Sequence, residues 1–127
     1  MLKVSEECLY RAIDVCKDGE KLSTIGKTVE SIAKKNGLNV VPSFCGHGIG
    51  GNLHEPPQVL HYYHKSNETL KQNMCITIEP VITEGTPDVV IDDSDGWTVT
   101  TEDNSRTAQF EHTILITKEK AIILTKI

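Results

Sequence analysis

Three residues that bind hard cations recur at even intervals in this chain. His47 sits in Gly46-His47-Gly48-Ile49-Gly50, Glu79 in Ile76-Thr77-Ile78-Glu79-Pro80, and Glu111 in Ala108-Gln109-Phe110-Glu111-His112-Thr113. The steps 79 − 47 and 111 − 79 are both 32 residues, too long for one helix or turn to unite them. Each lies in a segment that reads as strand or strand edge, so three neighbouring strands would have to aim an imidazole and two carboxylates at one centre. A carboxylate inside an apolar-flanked strand is costly to bury unless a cation or hydrogen bonds compensate it. A single such Glu is explained by a partner such as Arg106 or a lysine; two of them with a His favour a metal.

The elements that must position these residues follow from periodicity. Ser5 to Lys17 reads as a helix, with Ser5 as cap and Cys8, Ala12, Val15 and Cys16 at helical spacing, closed by Asp18-Gly19. Ser23 to Lys35 reads as a second, with Ser23 as cap, a stripe of Ile25, Val29, Ile32 and Ala33, and an Asn36-Gly37 stop. Beyond Leu38 the pattern changes to strands: Val40-Val41, Cys75 to Ile82, Val89 to Ile91, Trp97 to Thr100, Thr107 to Thr117 and Ala121 to Thr125. Asp95-Gly96 and Asp103-Asn104 mark turns. Two helices followed by strands predict an α+β fold, helices packed on a largely antiparallel sheet. In Thr107 to Thr117 a period of two puts Glu111 on a polar face with Thr107, Gln109 and Thr113, and puts Ala108, Phe110, Ile114 and Ile116 on the other. Glu79 likewise shares a face with Cys75, Thr77 and Val81, opposite Ile76, Ile78 and Ile82.

Composition bounds the rest. The 127 residues make one domain at most, and a net charge of −5 without a basic block argues against nucleic acid or an anionic membrane. No apolar run approaches the roughly 20 residues of a membrane span, and Met1-Leu2-Lys3 opens no signal peptide, so a cytoplasmic protein is expected, an organelle being the other option. Four cysteines without a Cys-x-x-Cys read as free, buried thiols of a reducing compartment, although Cys45, two residues before His47, also has the chemistry of a soft ligand or nucleophile. Glycines around His47 permit unusual backbone geometry and close approach. His54, seven residues on, cannot form a zincin-type helical pair with it, because glycines and prolines forbid that helix.

Taken in order and spacing, Gly46-His47-Gly48-Ile49-Gly50, His54-Glu55-Pro56-Pro57-Gln58-Val59-Leu60-His61-Tyr62, Ile76-Thr77-Ile78-Glu79-Pro80, Asp95-Gly96-Trp97-Thr98-Val99 and Ala108-Gln109-Phe110-Glu111-His112-Thr113 resemble type I methionine aminopeptidase, from about Ser5 to Thr125. Proline-directed relatives share the first two pieces but not the run from Asp-Gly-Trp-Thr to Gln-Phe-Glu-His-Thr. The resemblance implies the C-terminal half of a pita-bread fold, making residues 1–127 a single partial domain of the metallo-aminopeptidase catalytic domain. It implies a hydrolase that removes the initiator methionine from nascent polypeptides, with their N-terminal Met as partner and association with the ribosome as a further expectation. His47, Glu79 and Glu111 are the implied metal ligands, for two divalent ions per site in the family (Mn, Fe, Co or Zn), which polarise the scissile carbonyl and lower the pKa of a bridging water. Glu79 would also relay the water's proton to the leaving amine, and His54 would hydrogen-bond the peptide or its oxyanion. Cys45 and Trp97 are implied for the wall of the methionine pocket, with core and rim packing as their structural alternative.

The family's two aspartate ligands and a further histidine belong to an N-terminal half that these residues do not include. The expectation is therefore a chain that needs that half, holding one metal weakly rather than a bridged pair. A catalytically silent peptide- or protein-binding module and a degenerate remnant are the other readings. Asn73 stands where the family has a turn glycine, a change that a left-handed Asn tolerates.

Overall fold

The computed structural model describes residues 1–126. Helix α1 spans Leu2–Asp14 and α2 spans Leu22–Lys35. Both begin earlier than their sequence caps predict. Ser5 lies inside α1, fully buried, and donates its hydroxyl to the carbonyl of Ala108 at 3.2 Å, tying the helix to the sheet instead of capping it. Ser23 lies inside α2, whose N-cap is Lys21 with no side-chain cap hydrogen bond; the Glu20 Oε1 just before it accepts from the Lys21 amide and the Thr24 hydroxyl at 3.1 and 2.7 Å. The predicted stop of α2 holds: Gly37 has φ +68° and the Leu38 amide returns to the Ala33 carbonyl. Helix α1 ends at Asp14, short of Lys17, with the Cys16 amide bonded back to Ile13.

Ten strands follow among the described residues: β1 Asn39–Val40, β2 Gly46–Gly48, β3 Glu55–Val59, β4 Cys75–Ile78, β5 Val81–Thr83, β6 Val89–Ile91, β7 Val99–Thr101, β8 Thr107–Gln109, β9 His112–Ile116 and β10 Ala121–Ile123. All pairings are antiparallel, in sheets of order β10-β9-β4-β2-β3 and β1-β5-β8 plus a β6-β7 hairpin. The α+β expectation holds. Its two long strands do not: Cys75 to Ile82 breaks at Glu79-Pro80, and Thr107 to Thr117 breaks at Phe110-Glu111. Each half-strand joins a different sheet, and the partners stay the same across the break, β4 with β9 and β5 with β8.

The core lies between the helices and the five-stranded sheet. Leu9, Ile13, Leu22, Ile25 and Val29 pack over Ile76, Ile78, Ile114 and Ile116. Burying each such side chain stabilises the fold by roughly 1.5–3 kcal/mol, so this face fixes the position of β4 and β9 under the helices. Cys8 and Cys16 are buried free thiols as expected, whereas Cys45 and Cys75 are half-buried. No described helix is long and apolar enough to cross a membrane.

Candidate metal centre

The site is built on the strand breaks. Ile78 faces His112 on one side of the break and Val81 faces Gln109 on the other, so the unbroken register sets Glu79 opposite Glu111 and Pro80 opposite Phe110. Proline lacks the amide that a ladder needs, which suits it to that rung. Like charges placed directly opposite across two strands are destabilising. The repulsion is felt: burial pushes the Glu79 carboxyl above its ordinary value, and the charge of Glu111 adds to it, against the Thr77 hydroxyl and the two nearby histidines.

His47 reaches the same place from β2. The register between β2 and β3 shifts between His47 and Gly48, where two strand residues are taken up by Pro56-Pro57. Such a bulge re-aims side chains. Here the His47 Nε2 lies 3.4 Å from Glu79 Oε1, with both side chains about 15% exposed. The ring is oriented by its other nitrogen, Nδ1, 2.9 Å from the Gly48 carbonyl, so the proton belongs on Nδ1 and Nε2 is left as a donor pair. His54, exposed on the following loop, places its ring 4.4 Å from that of His47, edge on.

Two residues that the sequence reading did not single out hold the carboxylate. Thr77 accepts from the His47 amide at 3.0 Å and donates to Glu79 Oε1 at 2.8 Å, coupling the two strands through one hydroxyl. Gln109 donates to Glu79 Oε2 at 3.3 Å. Each lies two residues before a proposed ligand, on the same strand face, and that period was the available signal. A third, His61, is 1% exposed; its Nε2 accepts from the Glu79 amide at 3.2 Å, and burial pulls its pKa down to about 4.

Arg106, weighed in the sequence as a neutralising partner, is committed elsewhere: its guanidinium forms a two-pronged pair with Glu84 at 2.8 and 3.0 Å. Among the described residues, no Lys or Arg pairs with Glu79 or Glu111. The donor chemistry thus fits a divalent cation: an oriented imidazole nitrogen and two carboxylates with no cation of their own. The cage is not closed, since no three His, Cys, Asp or Glu side chains among the described residues are gathered as an ion requires. Glu111 is exposed, across the rung from Glu79.

The remaining predicted residues divide. Cys45 is half-buried, shares the strand-face parity of His47, and is close enough to Glu79 for that charge, after burial, to push its thiol up. Trp97 is on the hairpin turn between β6 and β7 with 85% of its surface exposed, outside the cluster of His47, His54 and Glu79. Beside the site, an open groove of about 1240 Å³ runs between the β1-β5-β8 sheet and the hairpin, lined by Phe44, Val81, Val89, Val99 and Gln109 among others.

The site is thus an α+β frame that carries paired carboxylates and an oriented histidine at the joint of two sheets. The comparison with known proteins makes it specific: residues 1–118 match metallopeptidase family M24, and the chain belongs to that family. It is similar to the mitochondrial methionine aminopeptidase 1D of Homo sapiens, 44% identical over 127 residues that make up 100% of this chain and 38% of the relative. The methionine aminopeptidase of Buchnera aphidicola subsp. Schizaphis graminum is 44% identical over 125 residues, 98% of this chain and 48% of that one. The crystal structure of methionine aminopeptidase from Rickettsia prowazekii superimposes with a TM-score of 0.94 at 42% identity, covering 98% of this chain and 50% of that chain. The chain therefore spans half or less of these relatives' length.

Proposed function

We propose that this chain supplies the C-terminal half of a methionine aminopeptidase catalytic domain, and that the complete enzyme hydrolyses the N-terminal methionine from nascent polypeptides. The observation that carries the reading is the rung on which Glu79 and Glu111 oppose each other beside His47 Nε2 without a basic partner. In this reading His47, Glu79 and Glu111 hold divalent metal, with further ligands from the other half. The metal would act as a Lewis acid on the scissile carbonyl and activate water. The residues of this chain do the rest. Glu79, its carboxyl raised by burial, accepts a proton and returns it to the leaving amine. His54 donates to the peptide or its oxyanion. Cys45 borders the methionine pocket. Trp97 joins it only when the rest of a longer protein covers the hairpin, and the apolar groove lined by Phe44, Val81, Val89 and Val99 is the surface for that other half. Buried free Cys8 and Cys16 support a reducing compartment, the cytoplasm or an organelle interior.

The test uses the chain alone and the chain co-folded with the N-terminal half of a related methionine aminopeptidase. Alone, it should bind Mn²⁺ weakly and release no methionine from a Met-Ala-Ser peptide. The pair should release it, and Glu111→Ala should abolish both binding and release. Mn²⁺ binding that ignores Glu111→Ala would sink the metal assignment. Peptide retained without metal, and never cleaved by the pair, would favour the silent binding module.

A further inference from the structure

The proposed chemistry gives the buried imidazole of His61 no part. His61 is 1% exposed in a stretch that follows β3, and the neutral imidazole has two nitrogens to account for. Nε2 accepts the amide of Glu79 at 3.2 Å, so the proton resides on Nδ1, which has no hydrogen-bond partner among the described residues. A buried donor left this way is costly. An apolar side chain would avoid the cost, so the ring is not explained by packing.

The other end of the contact says what it does. Glu79 lies at the strand break, between Ile78 and Val81, where the paired register gives its amide no ladder partner. The His61 nitrogen replaces the missing carbonyl. Its own placement is enforced from α2: a Cβ on Gly26 would lie 2.1 Å from the Tyr62 carbonyl oxygen and 2.7 Å from that of Leu60, so only glycine lets the main chain on both sides of His61 press against the helix. The route runs from helix to loop to imidazole to the backbone of the carboxylate that faces His47.

We propose that His61 is a positioning residue: it fixes the main chain of Glu79 at the strand break so that the carboxylate holds one orientation toward His47. This deepens the metal-site reading and rests on it for its purpose. The decisive pair of variants is His61→Gln, whose side-chain oxygen can take the place of Nε2, and His61→Leu, which fills the core without accepting. In isotope-labelled chain, a scalar coupling across the hydrogen bond should link the Glu79 amide nitrogen to His61 Nε2, and Glu79 should show a single χ1 rotamer. His61→Gln should keep that rotamer and most of the Mn²⁺ affinity. His61→Leu should average the rotamer and weaken Mn²⁺ binding about ten-fold or more, although it is the more stable variant in urea. A residue serving only as core filler gives the opposite ranking, with Leu at least equal to Gln in rotamer order, and that result overturns the proposal. Absence of the coupling in the unaltered chain overturns it too, whether or not the Gln variant folds. If the unaltered chain binds no Mn²⁺, the metal reading fails, and the coupling and the Glu79 rotamer still decide the part played by His61.

Discussion

Gly48→Ala tests the close approach of β2 and β3 on which the site depends. A Cβ at Gly48 would sit 2.1 Å from the Pro56 carbonyl oxygen, 2.8 Å from its carbon and 2.9 Å from the Glu55 carbonyl oxygen. All three are main-chain atoms, so no rotamer change relieves them. Restoring ordinary contact needs the strands to part by more than about 1 Å, at the register shift that aims His47. Overpacking typically costs about 1–3 kcal/mol, and a clash of backbone on backbone belongs at the top of that range. Domains of this kind have about 5–15 kcal/mol in total, so the loss is a large fraction. Gly50→Ala is the matched control. Its Cβ meets only the Glu55 carboxylate, nearest at 2.9 Å, the end of a side chain that can swing aside, and it should cost under about 1 kcal/mol. Urea titration reads both as shifts in midpoint at constant slope. The same Gly48→Ala displacement moves His47 and should weaken Mn²⁺ binding about 10–100-fold. Equal midpoints for the two alanine variants would refute the argument that glycine is required by the approach of β3.

The buried thiols set an alkaline limit. Burial, with a lesser contribution from Glu20, pushes the Cys16 thiol from 9.0 up to about 12. A raised pKa gives stability that is complete below the unfolded value and lost as pH climbs toward the folded one. Between pH ~8 and ~10.5 the unaltered chain should therefore lose about 2 kcal/mol more than Cys16→Ala; parallel urea midpoints would show the thiol ionising freely in the fold. Trp97→Ala should leave the midpoint of the chain within about 0.5 kcal/mol, because 85% of the side chain already faces solvent; a larger loss would mean that the hairpin turn packs against the body.

Regular, alternating segments are legible in the sequence. The apolar face of Ile76, Ile78, Ile114 and Ile116 is buried as the period of two requires, and it carries on in register across breaks that the period could not reveal. Asn73, read as a substitute for a turn glycine, adopts φ 73°. Strand β3 was missed because Pro56-Pro57 reads as a loop. It lies at the edge of the five-stranded sheet, where a residue without an amide is tolerated. The helix starts were misplaced because a serine hydroxyl has several possible partners, and tertiary contact chose Ala108 for Ser5. His61 had no local signal at all. Its role exists only because the chain returns, 18 residues later, to offer an amide at a strand break.

The break itself is the feature that ties fold to chemistry. A continuous pair of strands would have placed Glu79 and Glu111 on a fully bonded rung, where two carboxylates oppose each other with nothing gained. Separating β4 from β5 and β8 from β9 at that rung frees both carboxylates from the ladder while the flanking pairs, Ile78 with His112 and Val81 with Gln109, keep them opposed. The polar groups around Glu79 then orient it without neutralising it: Thr77 and Gln109 donate hydrogen bonds to its oxygens, and the guanidinium of Arg106 pairs with Glu84 instead. A fold selected for stability alone would supply a cation from its own side chains or remove one carboxylate. Both are retained, half-buried and exposed on facing strands beside an oriented imidazole; a cation from outside the chain would relieve their opposition, and the metal-binding role we propose belongs to the rung rather than to any single residue.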